Sequence, residues 1–133
     1  MIDARAGAQS LALVAAGGAA GAVSRYLLGR AVQHAAGGPF PWGTLAVNVL
    51  GCLAIGVALH YIQDRQTIGP SARLFLTIGI LGGFTTFSSF GYETVQLAAG
   101  GQWGAAAGNV LGNVLLGLGA VWLGWVAARA LAS

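Results

Sequence analysis

Long runs of uncharged residues alternate with short charged segments along this chain. Four runs contain between 19 and 35 consecutive uncharged residues, and they lie between Arg5 and Arg25, Arg30 and Asp64, Arg73 and Glu93, and Glu93 and Arg129. A helix that crosses the hydrocarbon core of a membrane needs about 20 apolar residues, so each run is long enough. The pattern predicts an all-α membrane protein with four transmembrane helices and both termini on the same side.

Short connectors set approximate limits for the four helices. The predicted spans cover about residues 9–28, 43–61, 72–97 and 103–128. Trp42 closes the Gly-Pro-rich first connector at the membrane interface, where aromatic rings are enriched. Pro70 lies just before the third span and is a favourable helix start. We therefore expect a single four-helix transmembrane domain over residues 1–133.

Composition supports a membrane location. The chain is 56% hydrophobic and 7% charged, and it contains 23 glycines, whereas soluble domains are about 25% charged. Its nine charged residues are too few to cover a water-exposed surface. The net charge of +3 comes from six scattered arginines that form neither a patch nor a stripe, so no nucleic-acid binding is expected. The single cysteine, Cys52, excludes an internal disulfide.

The arginines are distributed almost evenly between the two sides of the membrane. The side with the termini and the second connector holds Arg5, Arg65, Arg73 and Arg129, and the other side holds Arg25 and Arg30. Cytoplasmic loops are enriched in Lys and Arg, so this distribution sets the orientation. Because four against two is a small difference, we expect that the chain inserts in both orientations.

Glycines spaced four residues apart predict close helix packing. Gly17 and Gly21 form such a pair in the first span, and Gly104, Gly108 and Gly112 form a ladder in the fourth. Small residues at this spacing let helices approach closely within membranes. We expect a tightly packed assembly.

The third span is interrupted by the sequence GILGGFTTFSSFGYE. Its glycines, Gly79, Gly82 and Gly83, weaken a helix, and hydroxyls from Thr85, Thr86, Ser88 and Ser89 can satisfy freed backbone groups. Irregular backbone within a membrane is tolerated only where protein or a water-filled cavity satisfies it. We predict a broken third helix, and a simple kink is the alternative.

Polar residues at helical spacing form a stripe on each of the last three spans. The stripes are Thr44, Asn48 and Cys52; Thr86, Ser89 and Glu93; and Asn109 and Asn113. Hydrogen bonds between helices are the ordinary role of such residues, and a solvated carboxylate is the simpler interpretation of Glu93. Three converging stripes nevertheless predict a polar interior. Enzyme activity is not expected, because His34 lies in the first connector and His60 at the end of the second span, far from Glu93, so no catalytic or metal-binding cluster can be assembled.

Three motifs make the chain resemble the family of small fluoride channels called Fluc or CrcB. They are GGAAGAVSRYLLG in the first span, WGTLAVNVLG in the second and RLFLTIGILGGFTTFSSFGYE in the third. The last contains the family signature GG-x-TTFS-x-F. One departure is Phe84, where the family often has Leu.

The resemblance implies an antiparallel, dual-topology homodimer with two pores, which exports fluoride passively across a bacterial inner membrane. It also implies roles for matching residues. Asn48, Thr44, Phe87 and Phe90 would line the pore, Ser89, Glu93 and Asn113 a polar track, and Arg25 the vestibule, while backbone carbonyls of Gly82 and Thr85 would hold a structural sodium ion. Two alternatives remain: a small proton-coupled multidrug exporter, and a structural membrane subunit without transport.

Overall fold

The computed structural model describes the backbone of residues 4–132 and the side chains of residues 7–132. Asp3 and the Arg5 side chain lie outside the described residues. Four helices in this part of the chain are long and apolar enough to cross a membrane, over Gly7–Ala36, Trp42–Asp64, Pro70–Ala99 and Trp103–Leu131. The predicted all-helical, four-span architecture is confirmed, and the helices extend beyond the predicted limits. We call them the first to fourth spans.

The spans are built from α-helices joined by π-helical turns. Helix α1 (Ala4–Ala36) forms the first span, and α2 (Trp42–Leu59) continues into a π turn at His60–Asp64. The third span consists of α3 (Pro70–Arg73), a π segment at Leu74–Leu81, α4 (Gly82–Phe84) and α5 (Phe87–Ala99). The fourth consists of α6 (Trp103–Leu111), a π turn at Gly112–Leu116 and α7 (Gly117–Leu131). Helices satisfy their own backbone groups, which makes them suitable for apolar surroundings.

The most extensive packing joins spans that are not neighbours in the sequence. Helix α1 lies along the π segment and α4 of the third span, while α2 lies along α7 of the fourth. Helices α1 and α2 also touch each other. A tight turn, in which Gly101 has a φ of +77°, brings α5 and α6 together. The third span therefore packs on the first span through its first half and on the fourth span through α5.

Glycines bring the first and third spans into backbone contact. A Cβ atom added to Gly17 would lie 2.6 Å from the carbonyl oxygen of Phe75, and one added to Gly83 would lie 2.5 Å from that of Gly18. We call this contact the glycine junction; it comprises Gly17, Gly18, Gly21, Gly79 and Gly83. Because real Cβ atoms do not approach so closely, the two helices can pack only without side chains here. The predicted close packing at Gly17 and Gly21 is confirmed.

The glycine ladder of the fourth span is different. A Cβ atom at Gly104 would meet no other atom within 4 Å, and one at Gly112 would lie in ordinary contact, 3.4 Å from Leu45. The prediction of close backbone approach at this ladder is therefore wrong for contacts within one chain. The fourth span instead approaches α2 at Gly124, where an added Cβ would collide with the carbonyl oxygen of Leu53.

Two extended residues, Thr85 and Thr86, separate α4 from α5. Thr85 has φ −82° and ψ 156°, and Thr86 has φ −149° and ψ 115°. Thr86 caps α5, because its Oγ1 accepts the backbone N–H of Ser89 at 3.1 Å. The neighbouring glycines do not loosen the helix as expected. Gly82 keeps helical angles, φ −63° and ψ −38°, and Gly83 serves the glycine junction.

Polar contacts also join the ends of the second and fourth spans. Oδ2 of Asp64 accepts the indole N–H of Trp125 at 3.0 Å and lies 3.1 Å from Nδ1 of His60. The guanidinium of Arg65 donates to the backbone carbonyl of Ala132. His60 is buried at this end of the bundle and bonds to Asp64 within its own span.

Candidate anion site

Asn48 joins the second span to the extended residues of the third. Its Oδ1 accepts the backbone N–H of Thr86 at 2.8 Å, and its Nδ2 donates to the Thr86 carbonyl at 3.0 Å. Both backbone groups of Thr86 therefore find partners outside the helix, as irregular backbone in a membrane requires. The polar stripe of the second span faces the third.

A series of hydrogen bonds continues from Asn48 into the fourth span. Nδ2 of Asn48 also donates to Oδ1 of Asn113 at 2.9 Å. Nδ2 of Asn113 donates to both oxygens of Asn109 at 3.0 Å, and Nδ2 of Asn109 donates to Oγ1 of Thr94 at 2.9 Å. We call Asn48, Thr86, Thr94, Asn109 and Asn113 the amide junction. Its central member, Asn109, is completely buried.

A cavity of about 400 Å³ lies beside the amide junction. Its lining includes Asn48, Asn113 and two phenyl rings, those of Phe87 and Phe90, and no charged residue is among the described lining residues. The ring centroids are 5.3 Å apart and the planes are tilted by 57°. Phe90 is 8% exposed and Phe87 is 83% exposed, so the side chain of Phe87 projects out of the fold.

A second cavity, of about 220 Å³, has charged residues in its lining. Arg25, Arg30, Ser89 and Glu93 line it together with Thr44. The Thr44 hydroxyl donates to Oε1 of Glu93 at 2.7 Å, whereas Oε2 is buried without a hydrogen-bond partner among the described residues. Glu93 is half-buried, with one oxygen bonded to Thr44, and its interpretation as a solvated carboxylate stays a prediction.

Thr86 connects the two cavities, because it lines both of them. Its hydroxyl donates to Oγ of Ser89 at 3.0 Å. Arg25 supports the same region from the first span, since its Nε donates to the carbonyl of Gly83 at 3.0 Å. A small anion drawn in by arginine would meet hydroxyls first and amide and aromatic groups next.

The carbonyl groups of Gly82 and Thr85 are the candidate cation ligands. In a continuous helix they would accept the N–H groups of Thr86 and Ser89. These N–H groups instead donate to Oδ1 of Asn48 and Oγ1 of Thr86. Two hard oxygen acceptors, of the kind that small cations prefer, are thus released from helical pairing. Among the described side chains no group of three His, Cys, Asp or Glu forms an alternative metal site.

The structure places the predicted site residues around the two cavities. The larger is lined by Asn48, Gly82, Thr85, Phe87, Phe90 and Asn113, and the smaller by Arg25, Thr44, Ser89 and Glu93. Phe84 is not among the described lining residues; its Cδ1 lies 3.3 Å from where a Cβ on Gly51 would be. This additional aromatic residue packs against the second span.

Thr94 joins the site although the sequence gave it no role, and Asn109 joins it although it was predicted only as part of a polar stripe and not as a pore residue. The available signal was the spacing of Asn109, four residues before Asn113 in an apolar helix. A buried amide needs partners for its donors and its acceptor. Thr94 carried no such signal, because threonine often bonds its own helix, as Oγ1 of Thr94 does with the carbonyl of Phe90 at 2.7 Å.

Comparison with known proteins connects this geometry to a family. Residues 12–125 match the family described as "CrcB-like protein, Camphor Resistance (CrcB)". The chain is 48% identical over 122 residues to the "Fluoride-specific ion channel FluC" of Opitutus terrae, covering 90% of this chain and 92% of that protein. The protein of the same name from Paramagnetospirillum magneticum is 50% identical over 119 residues, covering 88% and 93% of the two chains. This multi-pass membrane protein belongs to the CrcB family.

Proposed function

We propose that the protein is a fluoride-selective channel, which lets fluoride leave the cytoplasm passively and thereby relieves its toxicity. The observation that carries the proposal is the larger cavity, where the Asn48 amide and the rings of Phe87 and Phe90 meet without a charged lining residue. Fluoride is small and strongly hydrated, so a pore must offer donors in place of water. It must also release the ion, which favours neutral donors over a fixed cation.

The phenyl rings suit this task. An aromatic ring has a negative face and a positive edge. The rings of Phe87 and Phe90 both line the cavity, and an edge turned toward the path would offer weak positive potential to a passing anion. They also exclude water, which strengthens the contribution of each nearby amide donor.

The smaller cavity is the proposed entrance. Arg25 and Arg30 attract anions, and the hydroxyls of Thr44 and Ser89 replace part of the hydration shell. Glu93 belongs to the same polar track and binds Thr44. Thr86 lines both cavities, so the ion passes this residue on its way to Asn48 and Asn113.

An antiparallel homodimer with dual topology completes the proposed pores. Phe87 is 83% exposed in the single chain, although its ring lines the larger cavity, so a second chain is needed to enclose the path. The nearly even distribution of arginines supports insertion of the two chains in opposite orientations. A twofold arrangement gives two equivalent pores.

A structural sodium ion would bind the carbonyls of Gly82 and Thr85 from both chains, four ligands in all. The N–H groups that normally pair with these carbonyls bond elsewhere. Once bound, sodium would supply positive charge between the two subunits without taking part in permeation. The chain itself would contribute one carbonyl from helical Gly82 and one from extended Thr85.

Fluoride efflux from liposomes tests the proposed function. Purified protein is reconstituted into vesicles loaded with fluoride or chloride, and efflux is recorded with ion-selective electrodes. We expect rapid fluoride efflux without a proton gradient, and retention of chloride. Transport of organic cations that requires a proton gradient would identify an exporter, and vesicles that release neither ion would favour a structural subunit.

Topology and assembly are tested separately. Reporter fusions at the C-terminus should be found on both sides of the membrane, and the protein should be a dimer in mild detergent.

The cation site is tested by substitution of its ligands. Gly82→Val should weaken the dimer rather than the fold of the single chain, because an added Cβ would lie 3.7 Å from its nearest neighbour, the carbonyl oxygen of Thr77. Thr85→Ser, which keeps the backbone carbonyl, should be mild. Unchanged dimer stability after sodium is replaced by a large organic cation would contradict the cation site.

A further inference from the structure

We propose that the Asn113 side-chain carbonyl occupies the fluoride position at Asn48 when the channel is empty, and that Asn109 and Thr94 are positioning residues that hold it there. The inference rests on the proposed fluoride function. It concerns how the binding site is kept satisfied between ions, and it assigns a role to two residues outside the predicted pore.

The backbone of Thr86 determines how the Asn48 amide is oriented. A backbone N–H can only donate, so the atom 2.8 Å from it must be Oδ1 of Asn48. Nδ2 then has two hydrogens, and each has a partner: the Thr86 carbonyl at 3.0 Å and Oδ1 of Asn113 at 2.9 Å. Asn48 therefore has no free donor for fluoride until one of these partners moves away.

Asn113 is the partner that can be displaced. The Thr86 carbonyl belongs to the backbone, and its residue is also bound to Asn48 through its N–H. Asn113 contributes a side-chain oxygen, which can turn away without moving a helix. The side-chain carbonyl of Asn113 and the fluoride ion are both hydrogen-bond acceptors. When fluoride replaces this carbonyl, the same N–H of Asn48 therefore keeps a partner. An empty site without this oxygen would leave the donor of the half-buried Asn48 amide unpaired or bonded only to water.

The remaining amide junction keeps Asn113 in the required orientation. Its Nδ2 donates to both oxygens of Asn109, so Oδ1 faces Asn48. Asn109 is oriented in turn because its own Nδ2 donates to Oγ1 of Thr94, whose hydroxyl donates to the Phe90 carbonyl. All of these bonds point in one direction, from Asn48 to the backbone of α5. Reversal of the Asn113 amide would set its NH₂ group against that of Asn48.

Thr94→Val is the sharpest variant, and Thr94→Ser is its matched control. Valine has nearly the same shape as threonine but no acceptor, so Nδ2 of Asn109 loses its partner in a completely buried position. Serine retains the hydroxyl. With Asn113 held less firmly, the Asn48 donor is more available, and fluoride should bind more tightly and leave more slowly.

The measurement is a fluoride titration of the purified protein, with ¹⁵N-labelled asparagine, followed by the side-chain NMR signals of Asn48 and Asn113. In Thr94→Val the fluoride concentration at the midpoint should fall about tenfold, which corresponds to about 1.4 kcal/mol. The liposome flux of this variant should decrease, and Thr94→Ser should match the unaltered protein in both measurements. A variant that was only misfolded would lose flux without a lower midpoint.

Asn113→Ala provides a second test if Thr94→Val does not fold. It removes the competing oxygen directly, so the midpoint should again fall. A midpoint that is unchanged or higher in the folded variants would overturn the inference, because Asn113 would then assist fluoride rather than replace it. If the unaltered protein neither conducted fluoride nor changed its Asn48 signal, the proposed function itself would be wrong.

Discussion

The glycine junction and the amide junction hold the third span in opposite ways. The first is made by the absence of side chains, as at Gly17 and Gly83, where backbone meets backbone. The second is made by polar side chains, which bond to one another and to backbone groups, as Asn48 does with the N–H and carbonyl of Thr86. The glycine junction meets the third span at Gly79 and Gly83, and the amide junction meets it at Thr86 and Thr94.

This difference separates support from chemistry. Close-packed backbones permit one helix spacing and therefore keep α4 in place against the first span. An amide offers hydrogen bonds that can be exchanged for others, which is what ion binding requires. A rigid contact beside an exchangeable one lets an ion pass without disturbing the fold.

The largest expected effect comes from Gly21→Ala in the glycine junction. The added Cβ would lie 2.8 Å from the backbone nitrogen of Phe84 and would collide with the carbonyl of Ile80. Because backbone cannot yield as a side chain can, we expect a loss of at least about 3 kcal/mol of stability. Size-exclusion chromatography in detergent should show little folded protein. A normal elution profile would mean that this junction is looser than described.

Asn48→Leu should cost less stability than Gly21→Ala, but it should abolish fluoride flux. The substitution removes three hydrogen bonds and leaves the Thr86 N–H unpaired, which costs about 2–4 kcal/mol. Thermal unfolding and liposome efflux measure the two effects. Flux close to normal in the assembled variant would show that Asn48 has only a structural role.

The two phenylalanines sharpen the comparison, because one substitution should have two different results. Phe87→Ile and Phe90→Ile both remove a positive ring edge, so each should lower flux about tenfold. Phe90 is packed inside the chain, so its substitution should also lower the melting temperature, by more than that of Phe87. Equal flux in both variants and the unaltered protein would make these rings ordinary packing residues.

The smallest effect is expected at Gly104, which has the same spacing pattern as the glycine junction but no close neighbour. Gly104→Ala should raise helix stability by up to about 1 kcal/mol, because alanine is the better helix former. A small rise in melting temperature with normal flux would agree with this. A strong loss of dimer would instead place the fourth-span ladder at the contact between subunits.

The sequence predicted the four spans well, because the length of an apolar run directly reflects membrane thickness. It also identified residues that the fold places together, such as Thr44 with Glu93 and Asn48 with Thr86. Polar residues in an apolar helix must find partners, so their number and spacing limit the possible arrangements.

Other features depend on which helices become neighbours. Gly17 and Gly104 occur in the same spacing pattern, yet only Gly17 meets another backbone. The extended geometry lies at Thr85 and Thr86 rather than at Gly82, because Asn48 compensates for the lost helical bonds. Such outcomes require the position of a second helix, which local spacing does not provide.

The alternating pairing of the spans also bears on how the protein is made. The first span packs along the third and the second along the fourth, so each of the first two spans is made before its main partner. Neither half of the molecule contains its own main packing partners. During synthesis, the first two helices are therefore inserted before their main packing partners exist, and lipid or the insertion machinery surrounds them. A chain that stopped after the second span would leave both without their main partners, and quality-control proteases would have an unassembled intermediate to remove.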